Sequence, residues 1–260
     1  MKDAKAPHRP VRKLRRGGEA LVYGLHAVLA VFRHRPLDVV RLYITPERAR
    51  SQGPLLKRCA AQRLAYHLVP TEELGRVTSS THHEGIAALV RQPPPEAAER
   101  WLAAQPGSGR SILVALEGTE NPHNAGSILR AAAHFGAAAL CVDDAGPATT
   151  PAARRTAEGG AEHVEILVFR SARGLAEAAR GRGYGVVATS SHADRGLSDV
   201  PLGPRTLVLL GGEGPGLSPE ALAAADLCVA IPGTGAVESL NVGHAAAILL
   251  AEWWRRNPPA

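Results

Sequence analysis

The sequence predicts an α/β protein: a C-terminal domain built on a mainly parallel sheet, preceded by a smaller N-terminal α/β domain. Two observations carry this. From residue 111 onward, apolar runs at 112–116, 139–142, 164–169, 185–189, 206–210 and 227–231 alternate with segments of helical periodicity. Continuous apolar strands separated by helices are the mark of a parallel sheet covered on both faces. Upstream, Gln92-Pro93-Pro94-Pro95 divides the chain, because proline lacks an amide donor and fixes φ, excluding helix interior and central strand.

Residues 1–17 read as a basic arm ending at Gly17-Gly18. Lys2, Lys5, Arg9, Arg12, Lys13, Arg15 and Arg16 face Asp3 alone, which accounts for the whole net charge of +6 over 260 residues. A basic arm on a neutral body suits a polyanion partner. Residues 18–92 form the small domain. Apolar spacing predicts a helix over 23–32, a strand over 39–45 closed by Pro46, a helix over 55–64, and strands over 66–69 and 86–90. Residues 93–110, with a short polar helix around Trp101 and then Pro106-Gly107-Ser108-Gly109, read as a semi-rigid linker. Residues 111–260 form the parallel-sheet domain. Cys59, Cys141 and Cys228 are odd in number and far apart, so they read as free thiols in a reducing cytoplasm, without disulfides or a zinc site. The charged N-terminus has no apolar segment behind it, and no apolar run is long enough to span a bilayer.

Ligands of open parallel sheets bind at the carboxyl ends of the strands, and three loops there carry polar groups. The first runs from Glu117 through Asn124 to Arg130, with Asn124 a candidate cap for a helix reaching Phe135 and Gly136 ending it. In the second, Gly211, Gly212, Gly214 and Gly216 allow close backbone approach to a ligand, and no Lys-Ser/Thr follows as a phosphate-binding P-loop would need. In the third, Ile231-Pro232-Gly233 leads through Gly235 to Glu238-Ser239-Leu240-Asn241 and an apolar helix from about Val242. His82, His83 and His134 read as structural, with His134 partly buried. No histidine sits in a metal-like constellation, and no metal is expected.

Together, Asn124-x-Gly126-x-x-x-Arg130, then Gly211-x-Glu213-Gly214-x-Gly216-Leu217-Ser218, then Ile231-Pro232-Gly233 with Glu238-Ser239-Leu240-Asn241-Val242, closely resemble the three motifs of the SpoU/TrmH family of RNA ribose 2′-O-methyltransferases, in the SPOUT superfamily. Gly24-Leu25-His26-Ala27-Val28 and His83-Glu84-Gly85-Ile86-Ala87 resemble that family's N-terminal substrate-binding domain, and Arg155 to Glu162 its loop between the first two motifs. One departure is Gly212, where the family usually has Asn. The resemblance implies a C-terminal trefoil knot, a homodimer, S-adenosylmethionine as cofactor, and an RNA substrate, ribosomal or transfer. It implies catalytic roles for Arg130, Asn124, Glu213, Ser239 and Asn241. Cofactor contacts would come from Thr189, Gly211, Gly212, Gly216, Ile231 and Leu240. Gly212 is the feature favouring a rival reading, a non-catalytic RNA-binding module with a degenerate pocket.

Overall fold

The computed structural model describes residues 18–118, 120–212 and 214–259; the basic arm and Glu213 lie outside the described residues. The described residues divide into two compact units, 18–25 with 37–93, and 26–36 with 94 onward. Among the described residues no helix is long and apolar enough to cross a membrane.

In chain order the N-terminal part contains β1 (Glu19–Tyr23), α1 (Leu25–His34), β2 (Val39–Ile44), α2 (Pro46–Ser51), α3 (Gly53–Ala61), β3 (Tyr66–Leu68), α4 (Thr71–Thr78) and β4 (Ile86–Arg91). Its four-stranded sheet has the order β1-β4-β2-β3, with β4 antiparallel to both β1 and β2, and β3 parallel to β2. Tyr23, Tyr43, Val69, Leu74, Ala87 and Leu89 form its apolar centre. Pro46 opens α2 as well as ending β2: Thr45 caps the helix by accepting from the Arg48 amide, a first-turn place where proline's missing N–H costs nothing.

The larger unit contains β5 (Glu96–Ala97), α5 (Ala98–Ala104), β6 (Ser111–Glu117), α6 (Pro122–Phe135), β7 (Ala139–Val142), α7 (Ala145–Thr149), α8 (Pro151–Thr156), β8 (Glu165–Val168), α9 (Ala172–Arg180), β9 (Gly185–Thr189), β10 (Arg205–Gly211), α10 (Pro219–Ala224), β11 (Leu227–Val229) and α11 (Val242–Arg256). Its seven strands run in the order β11-β9-β10-β6-β7-β8-β5, every pair parallel. Alternation along each strand builds two apolar layers. Ile112, Val114 and Leu116 of β6 face α6 and α11, whereas Leu113 and Ala115 face α5, α9 and α10. From β6 the chain runs outward to β7 and β8, then returns to β10's side of the sheet. The reversal lies between β6 and β10, which places a binding crevice at their carboxyl ends.

Two segments pack with the large unit. The supposed linker belongs to the large unit: β5 pairs with β8, and Ala98 and Leu102 of α5 are fully buried. Three prolines before a two-residue edge strand are compatible with that place, since an edge needs fewer ladder donors. Residues 26–36, which carry most of helix α1, group with the large unit. There a Cβ on Gly159 (φ +93) would stand 2.9 Å from Ala30 Cβ, so glycine is needed for the close approach. Arg35 at the end of α1 donates from Nη2 to Glu162 Oε1 at 3.0 Å, and Arg154, 3 % exposed, donates to the same carboxylate at 3.0 Å. Burial pulls the Arg154 pKa down and Glu162 opposes that pull.

Candidate active site

Helix α6 carries the first candidate residues. Its cap is Asn121, whose side chain accepts from the His123 amide at 2.9 Å with Pro122 in the first turn, so Asn124 is not the cap. Asn124 instead sits inside the helix, 8 % exposed, and its Oδ1 accepts from Asn241 Nδ2 at 3.0 Å. Asn241 is the cap of α11, its Oδ1 accepting from the Gly243 amide at 2.9 Å. One side chain thus ends the third loop and ties it to the first across 117 residues of sequence.

The exposed stripe of α6 is His123, Ser127, Arg130 and His134, the i, i+4, i+7, i+11 spacing of one helix face. His134, expected to be partly buried, is exposed on this stripe with its ring edge-on to Phe135. Gly243 at the start of α11 lies against Ser127, where a Cβ would be 3.0 Å from Oγ. Gly160 passes the Arg130 backbone, its own Cβ position 3.1 Å from the Arg130 Cα. The Arg130 backbone is therefore pinned between packed elements while its side chain reaches solvent one turn beyond the α6–α11 junction.

The second loop is closed by main chain. The Gly212 amide donates to the Glu117 carbonyl at 2.7 Å, and Gly212 bridges back to Gly216. A Cβ on Gly212 would lie 2.1 Å from the Gly118 carbonyl oxygen, and one on Gly211 2.2 Å from the Gly216 carbonyl carbon. No side chain fits at either place on this backbone. Glu117, at the end of β6, takes two bonds from Ser218, from its amide at 2.8 Å and its hydroxyl at 2.9 Å. Asp143, after β7, accepts from the Gly118 amide at 2.8 Å. Glu117 and Asp143 were not singled out from sequence, although an acid just past an apolar strand that ends in the crevice is a readable signal.

The remaining candidates gather at the same edge. Thr189 closes β9, its hydroxyl donating to the Leu209 carbonyl at 3.1 Å. Gly211 ends β10 opposite Glu117. Ile231 follows β11 and is half-buried. Residues 232–241 are all exposed, Leu240 by 46 % and Val237 by 71 %, so the third loop carries uncovered apolar groups. Ser239 lies on this loop and does not cap α11. Glu213 is outside the described residues. Among the described residues no group of three or more His, Cys, Asp or Glu could hold a metal ion.

Residues 111–251 match the model of the SpoU rRNA Methylase family, and residues 21–96 match that for RNA 2′-O ribose methyltransferase substrate binding. The chain is 38 % identical over 247 residues to "Uncharacterized tRNA/rRNA methyltransferase YfiF" of Escherichia coli O157:H7, covering 95 % of this chain and 71 % of the relative. It is 32 % identical to the 23S rRNA (guanosine-2′-O-)-methyltransferase RlmB of Pseudomonas aeruginosa, over 92 % of this chain and 97 % of that one. Its fold is similar to the crystal structure of the SpoU methyltransferase AviRb from Streptomyces viridochromogenes in complex with AdoMet, with TM-score 0.75, 26 % identity and coverage of 92 % and 90 %. A parallel sheet whose crevice is walled by three loops in the family's order, with both domains matched, makes this chain a member of the SpoU rRNA methylase family.

Proposed function

We propose that the protein transfers a methyl group from S-adenosylmethionine to a ribose 2′-hydroxyl of a structured RNA, ribosomal or transfer, in the cytoplasm. The observation that carries the reading is the Asn241–Asn124 hydrogen bond, which joins the third and first loops beside the exposed Arg130. The strand ends suit the cofactor. Gly211 and Gly212 pack on the Gly216 and Gly118 main chain with no room for a Cβ, which fixes the second loop beside the strand ends, and Leu240 offers an uncovered apolar group to an adenine. Thr189, Gly216 and Ile231 complete the set we assign to it. When bound, S-adenosylmethionine supplies a methyl already activated on a sulfonium.

The chain's own residues then have to position the hydroxyl and manage its proton. A guanidinium keeps its charge, so Arg130 holds an RNA phosphate and stabilises negative charge developing on the ribose oxygen, rather than acting as a base. Asn124, buried and fixed by Asn241, orients the first turns of α6. Ser239 supports the third loop, and Glu213 is assigned to the cofactor or to Arg130 from its place in the second motif alone. The test is Arg130→Ala, assayed with labelled S-adenosylmethionine and ribosomal RNA. Methyl transfer should fall by about 10²-fold with cofactor affinity unchanged; transfer at the parental rate in a folded variant would refute the role.

We further infer a homodimer and a trefoil knot. His244 and Ile248 are exposed on α11 beside the Arg130 stripe, a face a second copy would cover while bringing groups to the site. A monomer in light scattering at assay concentration would contradict this. For the knot, α11 is bonded along the β9–β10 crossover: Trp253 Nε1 to the Gly203 carbonyl at 3.0 Å, Asn257 Nδ2 to Leu202 at 3.1 Å, and Arg256 to Ser198 at 2.8 Å. Leu197, Val200 and Leu202 of that crossover share the apolar layer with α11. These contacts support a helix drawn beneath the crossover, and an experimental structure with α11 outside it would refute the threading.

A further inference from the structure

At the opposite edge of the same sheet, where β6, β9 and β10 begin, lies a cleft of about 480 Å³ lined by Gly109, Arg110, Gly183, Gly185, Pro204 and Arg205. Its two arginines are held differently. Arg205 is 8 % exposed and spent on structure: it donates to the carbonyls of Arg182, Ser108 and Pro106, each at 2.9 Å, and stacks on Tyr184 at 4.1 Å. Arg110 is held by aromatic faces alone. Its guanidinium carbon lies 4.2 Å from the Trp253 ring centroid and 4.3 Å from that of Trp254. Its Nε and Nη2 are buried and have no hydrogen-bond partner among the described residues, so neither is open to the cleft.

A cation between two indoles is positioned without being neutralised, since cation–π contacts leave its net charge in place. Arg110, Arg182 and Arg205 all lie at this edge, and none has a carboxylate partner in the ion pairs of the described residues. Desolvation pulls the Arg110 pKa down, so a bound anion would relieve a cost already present. The walls are open main chain: a Cβ on Gly185 or on Gly109 meets nothing within 4 Å. The cleft therefore offers a fixed positive charge and room for a bulky anion.

We propose that this cleft is a second RNA contact, in which Arg110 holds a phosphodiester at the far edge of the sheet from the methyl-transfer site. The inference rests on RNA being the substrate. β10 runs seven residues from Arg205 to Gly211, so the two edges are about 20 Å apart. A phosphate held here anchors a part of the RNA remote from the reacting ribose. Only a folded substrate that wraps the domain fills both places.

The test uses the full chain and a fluorescein-labelled, folded ribosomal RNA fragment, followed by anisotropy across a salt series. Two variants are compared with the parent: Arg110→Gln removes the charge, and Gly185→Glu places a carboxylate in the cleft from a position with open space around it. Each should weaken RNA binding by about tenfold and lower the salt slope by about 1, with melting temperature and S-adenosylmethionine affinity unchanged in Gly185→Glu. Parental RNA affinity in a folded Gly185→Glu variant overturns the proposal and leaves the methyltransferase reading standing. A parent that binds no RNA overturns both. Inorganic phosphate is titrated separately against tryptophan fluorescence. Quenching that Gly185→Glu abolishes, with RNA binding untouched, would make this a free-phosphate site and also overturn the proposal.

Discussion

Gly212 is where the chain departs from its family's usual second motif, and its surroundings define what a side chain there would do. A Cβ would stand 2.1 Å from the Gly118 oxygen and 2.7 Å from its carbon. Ordinary contact begins at 3.4 Å, so backbone must move by about 1.3 Å. Gly118 cannot yield cheaply, because the Asp143 carboxylate holds its amide at 2.8 Å. Gly212 cannot yield either without stretching its 2.7 Å bond to the Glu117 carbonyl. Overpacking of this kind costs about 1–3 kcal/mol, and the lost hydrogen bond about 1 kcal/mol more. Gly212→Ala should therefore lower the melting temperature by on the order of 5–10 °C and weaken S-adenosylmethionine binding in calorimetry. Gly212→Asn should behave likewise, although it restores the family's common residue. Gly185→Ala is the control, since its Cβ meets nothing. If Gly212→Ala matches the parent in both measurements, the main-chain closure of loops 117–118 and 211–217 is refuted, and Gly212 becomes a simple loss rather than a matched fit.

Two further outcomes concern charge. Glu162→Gln removes the carboxylate shared by Arg35 and the buried Arg154, and should cost about 3 kcal/mol in urea unfolding; a loss below about 0.5 kcal/mol, typical of a surface site, would place the network in solvent. Glu252 accepts from Arg255 and Arg256, and these bonds hold its pKa down at about 2 against an ordinary 4.5. A carboxylate depressed on folding stabilises above its unfolded pKa and loses that contribution as pH falls through the folded one. The stability gap between parent and Glu252→Gln should accordingly shrink between pH 4.5 and about 2; a gap constant over that range would show that the two arginines do not act on it.

Much of the large unit was legible because its strands are buried on both faces, so each reads as an unbroken apolar run whatever its neighbours. The short elements were not. β5 has two residues behind a triple proline, and only Ala98 and Leu102, four apart and both fully buried, mark the start of a packed helix. β1 was not legible: residues 19–22 fall in no predicted element, and Tyr23, its last residue, reads as the start of the helix. The cap of α6 was misplaced by three residues: Asn121-Pro122 is the stronger signal, since proline belongs in the first turn, and Asn124 had to be freed from capping to meet Asn241. That meeting could not be read locally, because the two residues lie 117 apart. Nor could the close fit of Gly212, whose neighbour Gly118 belongs to another strand end.

The placement of α1 bears on how such a protein can be divided. Sequence matching gives the substrate-binding portion residues 21–96 as one uninterrupted inheritance. The compact unit that carries the candidate active site nevertheless takes residues 26–36 from within it. A fragment starting at residue 94 would encode every motif of the active site and still be physically incomplete. The surface shaped by Gly159 would lie bare, and Glu162 and Arg154 would have lost Arg35. The compact unit that carries the candidate active site is thus discontinuous in sequence, and its separate part is essentially one helix.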